Sequence, residues 1–336
     1  MSQASTERQG WRPVIGLAVG LSLLLSAMLV AFGLPAVSSG PHDVPIAVVA
    51  PDEAATQITG ALDQAQPGAF DVTIAASEDE AIAMIRDREV YGAFVVGQDG
   101  LSVDIATAAS PAVAQVLTAV GEGAAAQLGA PATVNDVVPT TEDDPRAIGL
   151  TAGALPIALG GFIAGVATTL LVAGTGRRLA AVGAFAVIAG LAMTAILQFW
   201  FGTFDGSFWA TAAAAMLGII ATSAIVLGLE SLLGRPGIGV AALLVVLLGN
   251  PLSGLASAPE MLPTPWGAVG QLLPPGATGT LLRNVAFFDG AAIATPILVL
   301  LGWLALGVAL LAIAGLRARR APAGERAAVV GVDGQA

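Results

Sequence analysis

Residues 249–290 read GNPLSGLASAPEMLPTPWGAVGQLLPPGATGTLLRNVAFFDG. The stretch lies between apolar runs at 237–248 and 291–316, and its prolines at 251, 259, 263, 265, 274 and 275 each remove a backbone donor and interrupt a helix. Leu255, Met261, Leu262, Trp266, Leu272, Leu273, Leu281 and Leu282 nevertheless keep it half apolar. Broken backbone at membrane depth is tolerated only where it is buried in protein or lines a wet cavity. The stretch therefore predicts a re-entrant-like segment before the last span. As a gate, it would present Asn250, Pro251, Glu260, Pro263, Trp266, Pro274, Pro275 and Arg283, with Ser257 and Thr278 expected to be reachable from outside.

The flanking sequence sets the frame. Hydrophobic residues make up 56% of the chain and charged residues 11%, where soluble domains carry about 25% charge. Apolar runs at 14–37, 148–173, 179–201, 208–233, 237–248 and 291–316 predict a mainly α membrane protein with six transmembrane helices. The fifth run is short and is expected to continue as a broken helix. For the first, a cleaved signal peptide is the rival reading, with Ala36-Val37-Ser38 as the cleavage site. Its length and the Gly16-x-x-x-Gly20 packing face favour a retained span.

Between the first two runs the composition changes. Residues 38–147 hold seventeen acids against three arginines. Their apolar positions follow soluble periodicities: strands at 44–49, 70–75, 91–96, 101–107 and 133–138, and helices opening at Asp52, at Ser77 and at Ser110-Pro111. Gln98-Asp99-Gly100 reads as a hairpin turn. This predicts an extracytoplasmic α/β domain inserted between the first and second spans, its surface kept soluble by charge, with Glu142-Asp143-Asp144 as an acidic linker. The resulting order is a cytoplasmic arm and first helix at 1–37, the α/β domain at 38–147, five helices at 148–316 and a disordered cytoplasmic tail at 317–336.

The basic residues are all arginine. Arg8, Arg12, Arg177, Arg178, Arg235, Arg317, Arg319, Arg320 and Arg326 fall on one side of a six-span count, which places both termini in the cytoplasm. Glu230 is the one acid in a span and is expected to pair with Arg235 near the interface. The formal charge of −11 argues against nucleic acid. Without cysteine, and with His42 as the single histidine, the chain offers no thiolate or imidazole cluster for a metal and no catalytic pair, so neither cofactor nor enzyme chemistry is expected. It also lacks a G-x-x-x-x-G-K-[ST] phosphate loop.

The order of parts, with the strand Tyr91-Gly92-Ala93-Phe94-Val95-Val96 and the segments Pro259-Glu260-Met261-Leu262-Pro263, Leu273-Pro274-Pro275-Gly276-Ala277-Thr278 and Leu282-Arg283, resembles the permease subunits of type 2 ABC exporters. It resembles especially their phage-infection-protein branch in Gram-positive bacteria. That resemblance implies a bacterial plasma-membrane protein, a homodimer or paired permease, and a separate ATP-binding subunit facing Arg177, Arg178, Glu230 and Arg235. It further implies export of lipid-, peptide- or drug-like molecules or wall polymers. The link 174–178 and the arm before the first span are shorter than in that family. The alternatives are a non-transporting envelope protein whose acidic domain binds a partner, and half of a proton-driven pump. The second needs mid-membrane carboxylates that 179–201 and 208–229 lack.

Overall fold

The computed structural model describes residues 11–37, 39–97, 100–129 and 131–320. The expected arm and tail therefore lie largely outside the described residues, as do Gln98 and Asp99. The described chain is mostly helical, with five helices long and apolar enough to cross a membrane, a shorter apolar helix and a small sheet.

Helix α1 (Trp11–Val37) leads to β1 (Val44–Val49), α2 (Asp52–Ala65), β2 (Phe70–Ile74), α3 (Glu78–Arg86), β3 (Gly92–Gly97), β4 (Gly100–Ile105), α4 (Pro111–Leu128) and β5 (Ala132–Asp136). The strands form one sheet in the order β2-β1-β3-β4-β5, parallel except for the antiparallel β3–β4 pair, whose register runs from Gly92↔Ile105 to Gly97↔Gly100. Ser77 and Ser110 cap α3 and α4 by accepting from the backbone N–H groups of Glu80 and Val113, both at 3.2 Å. The core is Ile46, Val48, Ile85, Phe94, Val103 and Leu117.

One acid sits inside this core. Asp104 on β4 is fully buried and accepts from Ser102 Oγ at 3.3 Å, while its Oδ2 has no partner. Burial, and secondarily Glu78, raise its pKa above the usual carboxylate value. The folded state thus holds this proton more tightly than the unfolded one. Its stabilising contribution is complete below the ordinary aspartate pKa and is lost as pH rises through that value towards the raised one. Asp104→Asn is therefore expected to stabilise the protein at about pH 7 and to do little near pH 3, read as thermal unfolding across a pH series.

Helices α5 (Ile148–Leu171), α6 (Thr175–Ala195), α7 (Phe208–Leu233), α8 (Arg235–Ala242) and α11 (Ala294–Arg320) form the bundle, and two short helices, α9 (Trp266–Gln271) and α10 (Pro274–Phe287), precede the last. Helix α7 is central, packed by α5, α6, α10 and α11. Glycines set its crossings: Gly161 lies on Ile219 and Thr222, Gly165 on Val226, Gly190 on Met216 and Gly307 on Ala224. These contacts make α5 and α11 parallel to α7 and α6 antiparallel. One end of the bundle carries the sheet domain; the other carries Arg177, Arg178, Arg235, Arg317, Arg319 and Arg320.

Several expectations change. A Cβ added to Gly16 or Gly20 would meet nothing within 4 Å, so among the described residues nothing packs on that face of α1. The region 317–320 is helical, continuing α11. Asp144 is more than a linker. Its carboxylate accepts from the N–H groups of Ile148 (2.9 Å) and Gly149 (2.7 Å) and from Thr203 Oγ1 (3.1 Å), satisfying donors at the start of α5 and tying it to the α6–α7 link.

Candidate functional site

After α8 the chain takes π-helical turns at Leu243–Gly249 and a 3-10 turn at Pro251–Ser253, as befits a short, proline-stopped helix. It then reaches the sheet domain. Gly40 N–H donates to Met261 O (3.1 Å), His42 N–H to Glu260 O (2.8 Å), and Ser110 Oγ to Ser257 O (2.7 Å). From there α9 turns back into the bundle and α10 returns. Thr278 meets Gly218 halfway along α7, and Ala286 meets Gly206 at the domain end, so α10 runs antiparallel to α7. The segment is a helical hairpin entering and leaving at one end.

Three glycines make the hairpin close. A Cβ on Gly267 would strike the Pro259 carbonyl, one on Gly270 the Leu252 carbonyl, and one on Gly276 the Gly270 carbonyl. Pro274 and Pro275 are not breakers here. They occupy the first positions of α10, where no helical donor is needed, and both are buried. Thr278 is also fully buried, so it does not reach solvent, and Ser257 is only half-buried. Trp266 and Pro263 line an apolar groove of about 540 Å³ against Leu23, Ala27 and Val30 of α1. Asn250 precedes the break at Pro251 without a side-chain capping bond, and its carbonyl accepts from Ser253 Oγ at 2.7 Å.

Glu260 and Arg283 come together in a second cavity of about 420 Å³ between the hairpin and the sheet domain. Tyr91 Oη donates to Glu260 Oε2 at 2.7 Å; burial, and then Glu260, push the tyrosine pKa up. Arg88 lies over the Tyr91 ring (5.1 Å) and the Phe288 ring (4.8 Å), a stacked cation on two aromatic faces. Arg283 is 4% exposed and donates from Nη2 to Leu255 O at 3.2 Å. It is therefore an interior group of the hairpin, not an interfacial anchor, and Asp289 stays exposed beyond it. Arg88 and Tyr91 were not singled out as site residues in the sequence. Their signal was an arginine just before a buried strand, legible only once Phe288 and Glu260 are placed beside it.

At the other end of the bundle the expected Glu230–Arg235 pair is absent. Glu230 Oε2 accepts from Arg178 Nη1 at 3.1 Å, and the same guanidinium donates to Val172 O and Thr169 O, both at 2.8 Å. Arg178 thus closes the last carbonyls of α5 and joins them to α6 and α7. Arg177 and Arg235 are exposed. No cluster of metal-ligating side chains occurs among the described residues.

Fold and site together describe a multi-helix protein compatible with a multi-pass membrane location, carrying a cavity lined in part by Arg88, Glu260 and Arg283 where a small sheet meets the hairpin. Comparison with protein-family models, with curated proteins and with solved structures finds no match to this chain.

Proposed function

We propose that the chain is the permease subunit of an ABC-type exporter in a bacterial plasma membrane. Six helices would cross, with Arg235–Gly249 as the short fifth, both termini in the cytoplasm and the sheet domain outside. The observation that carries this reading is the α9–α10 hairpin. Its helices enter an apolar bundle without crossing it, and its outer end is hydrogen-bonded to the sheet domain. Such backbone at membrane depth requires a protein surround or a wet path, and its polar face at Glu260 and Arg283 already borders a cavity. The cargo class is lipid-, peptide- or drug-like.

The arginine end suits a cytoplasmic face by the bias of basic residues. Arg177 and Arg235 are the exposed groups there for an ATP-binding partner, and the Arg178–Glu230 pair braces the helices behind them. Helix α1, apolar and exposed on its described faces, is available to lipid or to a second copy. Helix α7 packs against α5, α6, α10 and α11 in the middle of the bundle, which favours transport between paired copies over a path through one. The same packing favours the second reading, a non-transporting envelope protein whose acidic domain binds a partner. Mild-detergent purification from native membranes decides between them. An ATP-binding subunit should co-purify in stoichiometric amount, and its reproducible absence would leave the second reading.

A further inference from the structure

The link between α6 and α7 gathers aromatic side chains on the outside of the bundle. Helix α6 runs on as a π-helical turn, Ile196–Trp200, and α7 begins at Phe208. Phe199 stacks on Phe208 with 5.5 Å between ring centres, and Phe208 meets Trp209 edge-on at 5.1 Å. Phe199, Trp200, Phe201 and Trp209 are all exposed. Two bonds fix the link that carries them: Gln198 Nε2 donates to Gly206 O at 2.9 Å, and Thr203 N–H donates to Leu197 O at 2.8 Å. Phe204, from the same link, is buried instead against Phe287. Exposed Asp205 and Ser207 lie beyond the cluster, while Phe185, Ile188 and Ile196 continue its apolar surface down α6.

Arg178 and Trp200 are twenty-two positions apart on α6 and its π turn, and Phe208 and Glu230 are twenty-two apart on α7. At 1.5 Å per residue each interval is about 33 Å, close to one hydrocarbon core of about 30 Å. The aromatic cluster and the Arg178–Glu230 pair thus bracket the thickness of a bilayer. A docking site for a protein partner has no reason to keep that interval. The hairpin supplies an independent depth. Thr278 meets Gly218, ten positions into α7 from Phe208, which is about 15 Å and near the middle of such a core. At the inner end of the hairpin Leu272 is exposed, and its carbonyl accepts from Trp303 Nε1 at 2.8 Å. An exposed carbonyl in water finds a donor in the solvent, whereas one facing hydrocarbon must be given one by the protein. Trp303 lies one turn before Gly307, which packs on Ala224, so it is about 18 Å from the level of Phe208.

We infer that Phe199, Trp200, Phe201, Phe208 and Trp209 form a lipid-contact surface seated at headgroup level on the sheet-domain side, which sets the inner end of the hairpin near the bilayer midplane. The partner is the phospholipid interface. Tryptophan joins an apolar ring to a polar N–H and collects at such interfaces, the ring on the acyl chains and the N–H towards ester and phosphate oxygens. This surface goes beyond the transport reading. It needs a membrane location but neither an ATP-binding partner nor a direction of transport, so a failure of co-purification would leave it standing.

The test uses the full chain reconstituted in phosphatidylcholine vesicles whose acyl chains carry bromine either near the headgroup or near the chain end. Tryptophan fluorescence is the readout. Three proteins keep only Trp200, only Trp209 or only Trp303, the other tryptophans being replaced by phenylalanine. Trp200 and Trp209 should be quenched at least about twofold more by the shallow bromine than by the deep one, and Trp303 the reverse. Should these multiple replacements prevent folding, the single variants Trp200→Cys, Trp209→Cys and Trp303→Cys carrying bimane give the same reading, because the chain has no other cysteine. A stronger or equal response to the deep bromine at Trp200 or Trp209 would overturn the surface. So would quenching by aqueous acrylamide alone, which marks water, or protection from every quencher, which marks a protein partner. A shallow reading for Trp303 would overturn the depth of the hairpin.

Discussion

Replacing Gly270 by alanine is expected to lower the thermal midpoint more than any other single-methyl change in the hairpin. The added Cβ falls on the backbone carbonyl of Leu252, which is buried and cannot swing aside as a side chain could. Overpacking a filled core costs about 1–3 kcal/mol where side chains can adjust. Here α9 itself must move away from the 3-10 turn at Pro251–Ser253, so the upper end, about 3 kcal/mol, is expected. The displacement should propagate. Gln271 Nε2 donates to Ser253 O at 2.8 Å, holding α9 to the 3-10 turn, and Thr280 Oγ1 donates to Gln271 Oε1 at 2.6 Å, holding α10 to α9 beside the cavity. Gly239→Ala, in α8 where nothing lies within 4 Å, is the matched control and should be neutral or slightly stabilising. Equal midpoints for the two variants in detergent would show that the hairpin is not packed as described.

Arg178→Ala should be the most costly charge deletion at the arginine end. It removes three interactions at once, leaving Glu230 and the carbonyls of Thr169 and Val172 without their donor. Breaking a fully buried pair costs about 3–5 kcal/mol. Both side chains here are 22% exposed, so water recovers part of that and about 2 kcal/mol is expected. The double change Arg178→Met with Glu230→Met should cost less than Arg178→Ala, because no uncompensated charge then remains. A double variant as destabilised as the sum of the two singles would mean that the two groups act independently. Arg235→Ala, by contrast, should leave stability unchanged, since that side chain is exposed and Glu230 is already engaged.

The contrast between these two arginines shows why part of the site was hidden. Arg235 is five residues from Glu230 and Arg178 is fifty-two, so sequence proximity pointed to the wrong partner. The helix α7 ends beside the α5–α6 link because α5, α6 and α7 pack through glycines, and that packing brings Arg178 to the carboxylate. Arg283 was visible in the sequence as an odd cation in an apolar stretch. Its burial and the company of Arg88 were not, since the two are 195 positions apart and meet only where the hairpin abuts the sheet domain. The Pro274-Pro275 pair could have been read correctly. Two prolines before a small-residue run mark a helix start as well as a break.

What the sequence determined by itself is local or periodic. The strand positions follow from alternating and continuous apolar runs, α3 and α4 from Ser77 and Ser110, and the long apolar helices from length and composition, because each depends on contacts within a few residues. The proline-broken character of 249–290 was equally legible. Only the tertiary structure decided that this segment is a buried hairpin with glycine-to-carbonyl contacts, that Asp144 caps α5, and that Arg88, Tyr91, Glu260 and Arg283 share one cavity. Those outcomes depend on close approach between distant chain segments, and in apolar helices rich in Ala, Leu and Gly the hydrophobic pattern is nearly uniform around each helix. It therefore carries little information about which face meets which neighbour.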